Sequence, residues 1–225
     1  MFPLRLPLPR LRRSPSTSLT LLAVSHFSFS LLSLTGFRSS AAPAPSPAPE
    51  SIPRLTVSVP ARDGIALATD IYLPTNEGSF PVILARTPYN KESGASLGCD
   101  GAQRGFAVVV QDTRGRFAST GENLPFHLDG PDGADTLAWI RQQPWCNGRT
   151  DTWGGSAGAI TQFQLAGVGN QPLDAQFLVV GAPNLHEVVY MGGIFRKSLA
   201  EDWIRVTRFA TNALPIWVSH PTYDD

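Results

Sequence analysis

The stretch TDTWGGSAGAITQ, residues 150–162, sets a serine among glycines, and its reading decides the fold. Gly154, Gly155, Ser156, Ala157 and Gly158 spell G-x-S-x-G, the pattern of a serine held on a sharp strand-to-helix turn at the edge of a parallel sheet. Two accounts fit these five residues: a reactive serine on a strained turn, or a glycine-rich helix start with Ser156 as its N-cap. The flanking sequence chooses between them.

Upstream, LTVSVPARDGIALATDIYLP (55–74) reads as two strands joined around Asp63 and Gly64, with Val57, Val59, Ile65, Leu67, Ile71 and Leu73 at period two. FPVILARTPY (80–89) and GFAVVVQDTRG (105–115) are continuous apolar runs closed by polar residues, as expected of strands buried on both faces. DGADTLAWIRQQP (132–144) has near-helical apolar spacing and ends at Pro144. GRTDTWGG (148–155) is a short strand, the Ala-rich run after Ser156 is a helix, and DAQFLVVGAP (174–183) reads as another buried strand. This alternation predicts an α/β protein with a mostly parallel sheet covered on both faces. It places Ser156 at a strand-to-helix junction, where helix N–H groups face a developing oxyanion.

Composition bounds the rest. With 42% hydrophobic and 16% charged residues in 225, the chain can bury one sizeable core. Residues 1–54 carry six Arg and one acid, leaving twelve bases and seventeen acids that alternate rather than form a stripe. No nucleic-acid partner is expected. The basic MFPLRLPLPRLRR, the apolar LTLLAVSHFSFSLLSL and the small-residue SSAAPAPSPAPE have the layout of a secretory signal. We expect a leader over 1–41, cleaved near Ala41 or Ala42, a Pro/Ala-rich linker over 42–54, and a secreted or periplasmic product; the alternative is a disordered or mis-started leader and a cytoplasmic product. The apolar run is short and Ser-rich beside the about 20 residues of a membrane span, so no stable span is expected. Cys99 and Cys146 are read as separate thiols, in no C-x-x-C or Cys/His cluster; neither a metal nor a cofactor is expected.

The blocks VPARDGIALATDIYLP, PVILARTPYNKES, RGFAVVVQDTRGRFASTGE, DGADTLAWIRQQPWCNGRTDTWGGSAGAITQFQLAG and VSHPTYDD, in this order, resemble the Xaa-Pro dipeptidyl-peptidase and cocaine-esterase-like family of α/β-hydrolases. The resemblance spans about residues 55–225. It implies the hydrolase domain's N-terminal part over 55–185 and the start of a helical cap over 186–225. It also implies a serine hydrolase acting by acyl transfer on carboxylic ester or Xaa-Pro peptide bonds, with a small ester or short peptide as substrate. Ser156 would be the nucleophile, the Ala157 backbone N–H one oxyanion donor, and the Tyr89 hydroxyl the other. The block around Asp112, Arg114 and Arg116 is expected to brace the loop beside the nucleophile, through an Asp112–Arg114 charge pair. Trp139, Trp145 and Trp153 are read as packing residues.

The pattern IFRKSLAEDWIRVTRFATNAL puts Leu199, Trp203, Val206 and Ala210 on one helical face; Trp203 or Tyr190 is a candidate substrate contact, and a plain amphipathic helix is the simpler reading. Glu187 and Asp202 are candidate partners for a substrate amine. A serine nucleophile needs a base and an orienting acid, in the order Ser, Asp/Glu, His in this fold. Neither His186 nor His220 fits the base, nor do Asp202, Asp224 and Asp225 lie at strand ends. The acid and histidine are therefore expected beyond residue 225, and the isolated chain is expected to hydrolyse poorly. The alternative is a non-catalytic ligand- or partner-binding member of the same fold.

Overall fold

The run Ala107-Val108-Val109-Val110 is apolar at every position, and a strand of that kind is stable only with both faces covered. In the computed structural model, which describes residues 52–168 and 172–207, it forms β4 (Ala107–Asp112), buried throughout. Ala107 and Val109 join Val82, Leu84, Leu137, Ile140 and Leu165 on one side of the sheet. Val108 and Val110 join Tyr72 and Ala102 on the other. The leader and linker to Ser51, Ala210, His220, Asp224 and Asp225 lie outside the described residues.

Around β4 the sheet is built as the sequence predicts. β1 (Arg54–Pro60) and β2 (Ala66–Tyr72) form an antiparallel hairpin paired from Arg54↔Tyr72 to Pro60↔Ala66, its turn using Gly64 at φ 83°. β3 (Phe80–Thr87), β4, β5 (Cys146–Gly155) and β6 (Ala175–Val179) are parallel, and the six strands run β1-β2-β4-β3-β5-β6. Helix α1 (Ala95–Gln103) connects β3 to β4, α2 (Asp129–Arg141) connects β4 to β5, and α3 (Ala157–Gly167) connects β5 to β6. After β6 come α4 (Leu185–Val189), a two-strand hairpin of β7 (Tyr190–Met191) and β8 (Ile194–Phe195), and α5 (Lys197–Thr207). Cys99 and Cys146 are free, packed in different apolar clusters.

Three expectations change. DAQFLVVGAP is expected to be a buried strand, but β6 is the outermost strand described, with Phe177 59% and Val179 40% exposed. Its apolar composition is that of a two-faced strand, and no described element covers its outer face. Helix α2 begins at Asp129, three residues before the predicted start; Pro131 is compatible because the first-turn N–H groups lack intrahelical partners anyway. Arg114 does not pair with Asp112. Its guanidinium forks onto Asp132 of α2 (2.6 and 3.0 Å) and Asp63 of the β1–β2 turn (2.6 and 3.1 Å). Asp112 instead accepts the backbone N–H of Lys91 at 2.7 Å and of Ala118 at 3.4 Å, while burial pushes its carboxyl up from the ordinary range.

A polar seam continues across the core: Arg86 Nε donates to Gln111 Oε1 at 2.8 Å, Thr136 Oγ1 donates to the same oxygen at 3.0 Å, and Gln111 donates to Thr69 at 3.0 Å. Buried polar groups are tolerated when bonded in this way. On the surface, Arg62 holds Asp135 through bonds of 2.7 and 2.8 Å.

The carboxylates of Asp63 and Asp135 are both held below their ordinary range. For Asp63 the cause is the Arg114 hydrogen bonds; for Asp135, burial pushes up and the Arg62 bonds outweigh it. A depressed folded value gives stability that is present above the unfolded value and lost as pH falls through the folded one. We expect Asp63→Asn/Asp135→Asn to melt below the native chain at neutral pH, with the gap closing in acid. Thermal melts followed by circular dichroism across a pH series test this, and a gap undiminished in acid would refute it.

Candidate active site

Ser156 sits between the last residue of β5 and the first of α3 with φ 54° and ψ −123°, a conformation that costs a non-glycine residue about 1–3 kcal/mol. The strain comes from a close crossing. A Cβ on Gly154 would stand 2.7 Å from the carbonyl oxygen of Gly158, so only glycine lets the helix start this near the strand. Several bonds hold the turn. The Ser156 N–H donates to Val179 O at 2.8 Å, and Ser156 O accepts from Ala159 N at 2.9 Å. Gln162 donates to Gly158 O at 3.0 Å while accepting from Thr152 at 2.7 Å.

The Ser156 hydroxyl makes no capping bond to α3. Its Oγ lies 3.1 Å from Tyr89 Oη, which answers the question posed by the glycine pattern: this is not a serine spent on its helix. Ala157, buried at the helix start, belongs to the first turn, whose N–H groups lack intrahelical partners.

Tyr89 stands two residues past the end of β3, on a segment fixed from several sides. Its N–H donates to Thr87 Oγ1 at 3.0 Å, Asn90 adopts φ 85°, and Arg116 Nε donates to Pro88 O at 3.0 Å. Beyond it, the Lys91 ammonium is buried against Asp70 at 2.9 Å. Burial lowers the affinity of that amine for its proton, but the Asp70 hydrogen bond and charge outweigh it and hold the value above the usual lysine range. The loop that presents Tyr89 is thereby pinned to the sheet.

An apolar cavity of about 270 Å³ opens over Ser156 and Ala157, walled by Phe126, Ile160, Val188, Leu199 and Trp203 among others. The Trp203 indole N–H donates to Tyr89 Oη at 3.4 Å, and its ring stacks on Phe126 with centroids 5.3 Å apart. The structure thus joins Ser156, Ala157, Tyr89 and Trp203. It does not bring Tyr190 to the cavity wall, where His186 and Phe195 are its ring neighbours at 5.0 and 5.4 Å. Glu187 and Asp202 are exposed and line no part of this cavity. Trp139 and Trp145 pack edge to face, and half-exposed Trp153 stacks on Phe177. Sequence reasoning missed Phe126, which takes φ 62° in a loop with no periodic pattern, and the Gln162 clasp, whose glutamine reads as an ordinary helix residue. Among the described residues no cluster of His, Cys, Asp or Glu is arranged to hold a metal ion, and no helix is long and apolar enough to cross a membrane.

A mostly parallel sheet with helices on both faces and a strained serine turn after β5 defines an α/β-hydrolase fold. An α/β-hydrolase from Penicillium sp. sh18 shares that fold, with a TM-score of 0.52 at 20% identity over 58% of this chain and 46% of its own. The chain belongs to the X-Pro dipeptidyl-peptidase (S15) family, which matches residues 63–215. It is 39% identical over 142 residues to cocaine esterase of Rhodococcus sp. (strain MB1 Bresler), a match covering 60% of this chain and 25% of the esterase. A CocE/NonD family hydrolase from Staphylococcus aureus superposes with a TM-score of 0.60 at 25% identity, over 68% of this chain and 32% of that one. The chain therefore spans a minor part of the relatives it matches.

The strain at Ser156 can be measured. Ser156→Ala and Ser156→Gly both delete the contact with Tyr89, but only glycine adopts φ 54° without steric cost. We expect the glycine variant to be the more stable by about 1 kcal/mol in urea unfolding, reversing the usual order of these residues. An alanine variant of equal or greater stability would mean that the turn relaxes.

Proposed function

We propose that this chain carries the nucleophile and oxyanion donors of a serine hydrolase that transfers acyl groups from carboxylic esters. The observation that carries the proposal is the 3.1 Å approach of Ser156 Oγ to Tyr89 Oη on a strained turn beneath an apolar cavity. Ser156 Oγ attacks the ester carbonyl, and the oxygen that gains charge is met by the Tyr89 hydroxyl and the Ala157 N–H. Collapse expels the alcohol and leaves an acyl-serine, which water then hydrolyses. An Xaa-Pro substrate brings a free amino terminus, which a carboxylate in the lining would suit. Among the described residues the cavity lining carries none, and this favours the ester.

Turnover also requires a base for the serine proton. His186 stacks on Tyr190 outside the cavity lining, and His220 lies outside the described residues. The test is labelling by a fluorophosphonate, followed by hydrolysis of p-nitrophenyl acetate and benzoate beside an alanyl-prolyl anilide. We expect labelling to vanish in Ser156→Ala and to slow by about 100-fold in Tyr89→Phe. Labelling that survives Ser156→Ala would sink the reading. The same assay on His186→Ala, on His220→Ala and on a chain extended by downstream sequence identifies the source of the base.

We propose also that residues 1–41 direct export and that 42–54 tether the hydrolase segment of 55–185, with the cap beginning at 186. The N-terminal sequence of the secreted product tests the cleavage near Ala41 or Ala42. An unprocessed N-terminus in the cytoplasm would contradict it.

A further inference from the structure

Arg116 is a buried side chain whose guanidinium joins two segments distant in sequence. Its Nε donates to Pro88 O, beside Tyr89, at 3.0 Å, and its Nη2 donates to Thr207 O, at the end of α5, at 2.7 Å. One helical turn earlier, Trp203 donates to Tyr89 Oη at 3.4 Å. The contacts close a ring: Tyr89, Trp203, the last turn of α5, Thr207, Arg116 and Pro88.

Arg116 itself is rigidly presented. Its N–H donates to Thr113 O at 3.0 Å and its carbonyl accepts from Ser119 N at 2.9 Å. Gly115 before it takes φ 66°, and a Cβ there would stand 2.5 Å from Asn123 N. Phe117 after it takes φ 48°, with its ring 5.0 Å from the guanidinium carbon. A planar fork on such a base can hold two carbonyls at fixed separation, which the compact lysine ammonium does poorly.

We propose that Arg116 is a positioning residue that sets the Tyr89 hydroxyl and the α5 wall of the cavity as one unit. α5 cannot lift from Ser156 without releasing the segment that carries the oxyanion donor. The functional half of this inference rests on the serine-hydrolase reading above; the mechanical half does not.

The experiment compares the full 225-residue native chain with Arg116→Met and Arg116→Lys, by hydrogen–deuterium exchange and by the rate of fluorophosphonate labelling. We expect Arg116→Met to raise exchange in both 88–92 and 197–207 while α2 stays protected, and to slow labelling by about tenfold or more. In a Tyr89→Phe background the same substitution should cost much less, because the group it positions is already gone. Arg116→Lys keeps the stem and the charge and serves if the methionine variant unfolds; it should still loosen at least one of the two segments. Exchange that rises in neither segment, or a labelling loss that adds in full to that of Tyr89→Phe, overturns the proposal. Where the native chain does not label, the rates are taken on the chain extended by downstream sequence; failure of both to label counts against the nucleophile reading alone, and the exchange comparison still decides whether Arg116 ties the two segments.

Discussion

The distance between β5 and α3 governs the rest of this molecule. At Gly154 and Gly158 the strand and the helix meet so closely that a methyl group at Gly154 would overlap the Gly158 carbonyl. The chain can turn from one element into the other only through a conformation that L-residues avoid, and Ser156 occupies it. Strain of this kind persists only where surroundings overdetermine it. Here the surroundings are the pairing of β5 with β6, the first bonds of α3, and the Gln162 amide bonded across the junction.

The second support is the loop after β4, where alternate residues each reach a different part of the fold. Asp112 takes the N–H of Lys91, Arg114 takes Asp132 of α2 and Asp63 of the first hairpin, and Arg116 takes the Pro88 carbonyl. Removing Arg114 takes the guanidinium fork from the buried Asp132 carboxylate, and breaking a buried pair in this way costs about 3–5 kcal/mol. The loop works as a bracket: Arg114 and Arg116 line no part of the cavity over Ser156, yet the segment bearing Tyr89 hangs from them.

Much of this was legible in the sequence, for identifiable reasons. The apolar runs of β3 and β4 and the alternation of β1 and β2 specify buried and half-buried strands, and the glycines around Ser156 specify the tight turn. Period and composition, however, report only what a strand could bury; β6 has the composition of a covered strand, and its exposure depends on what lies beside it. The partner of Arg114 was not legible either. Asp112 is near in sequence, whereas Asp63 and Asp132 are brought in by the hairpin and by α2. Tyr89 stood out through resemblance alone, since a tyrosine after a strand is unremarked by any local pattern. Phe126 and the reach of Arg116 to Thr207 depend wholly on tertiary contacts.

The backbone N–H of Ser156 is donated to Val179, the last residue of β6. The serine turn is therefore stitched to the outermost strand described, whose alternate side chains are exposed. Proteins open locally where such contacts are few, well before they unfold as a whole. Fraying of β6 would remove the Ser156 N–H bond to Val179 without touching β4, which is buried throughout. The geometry of the serine turn and the integrity of the fold thus rest on different strands, the first on β6 and the second on β4.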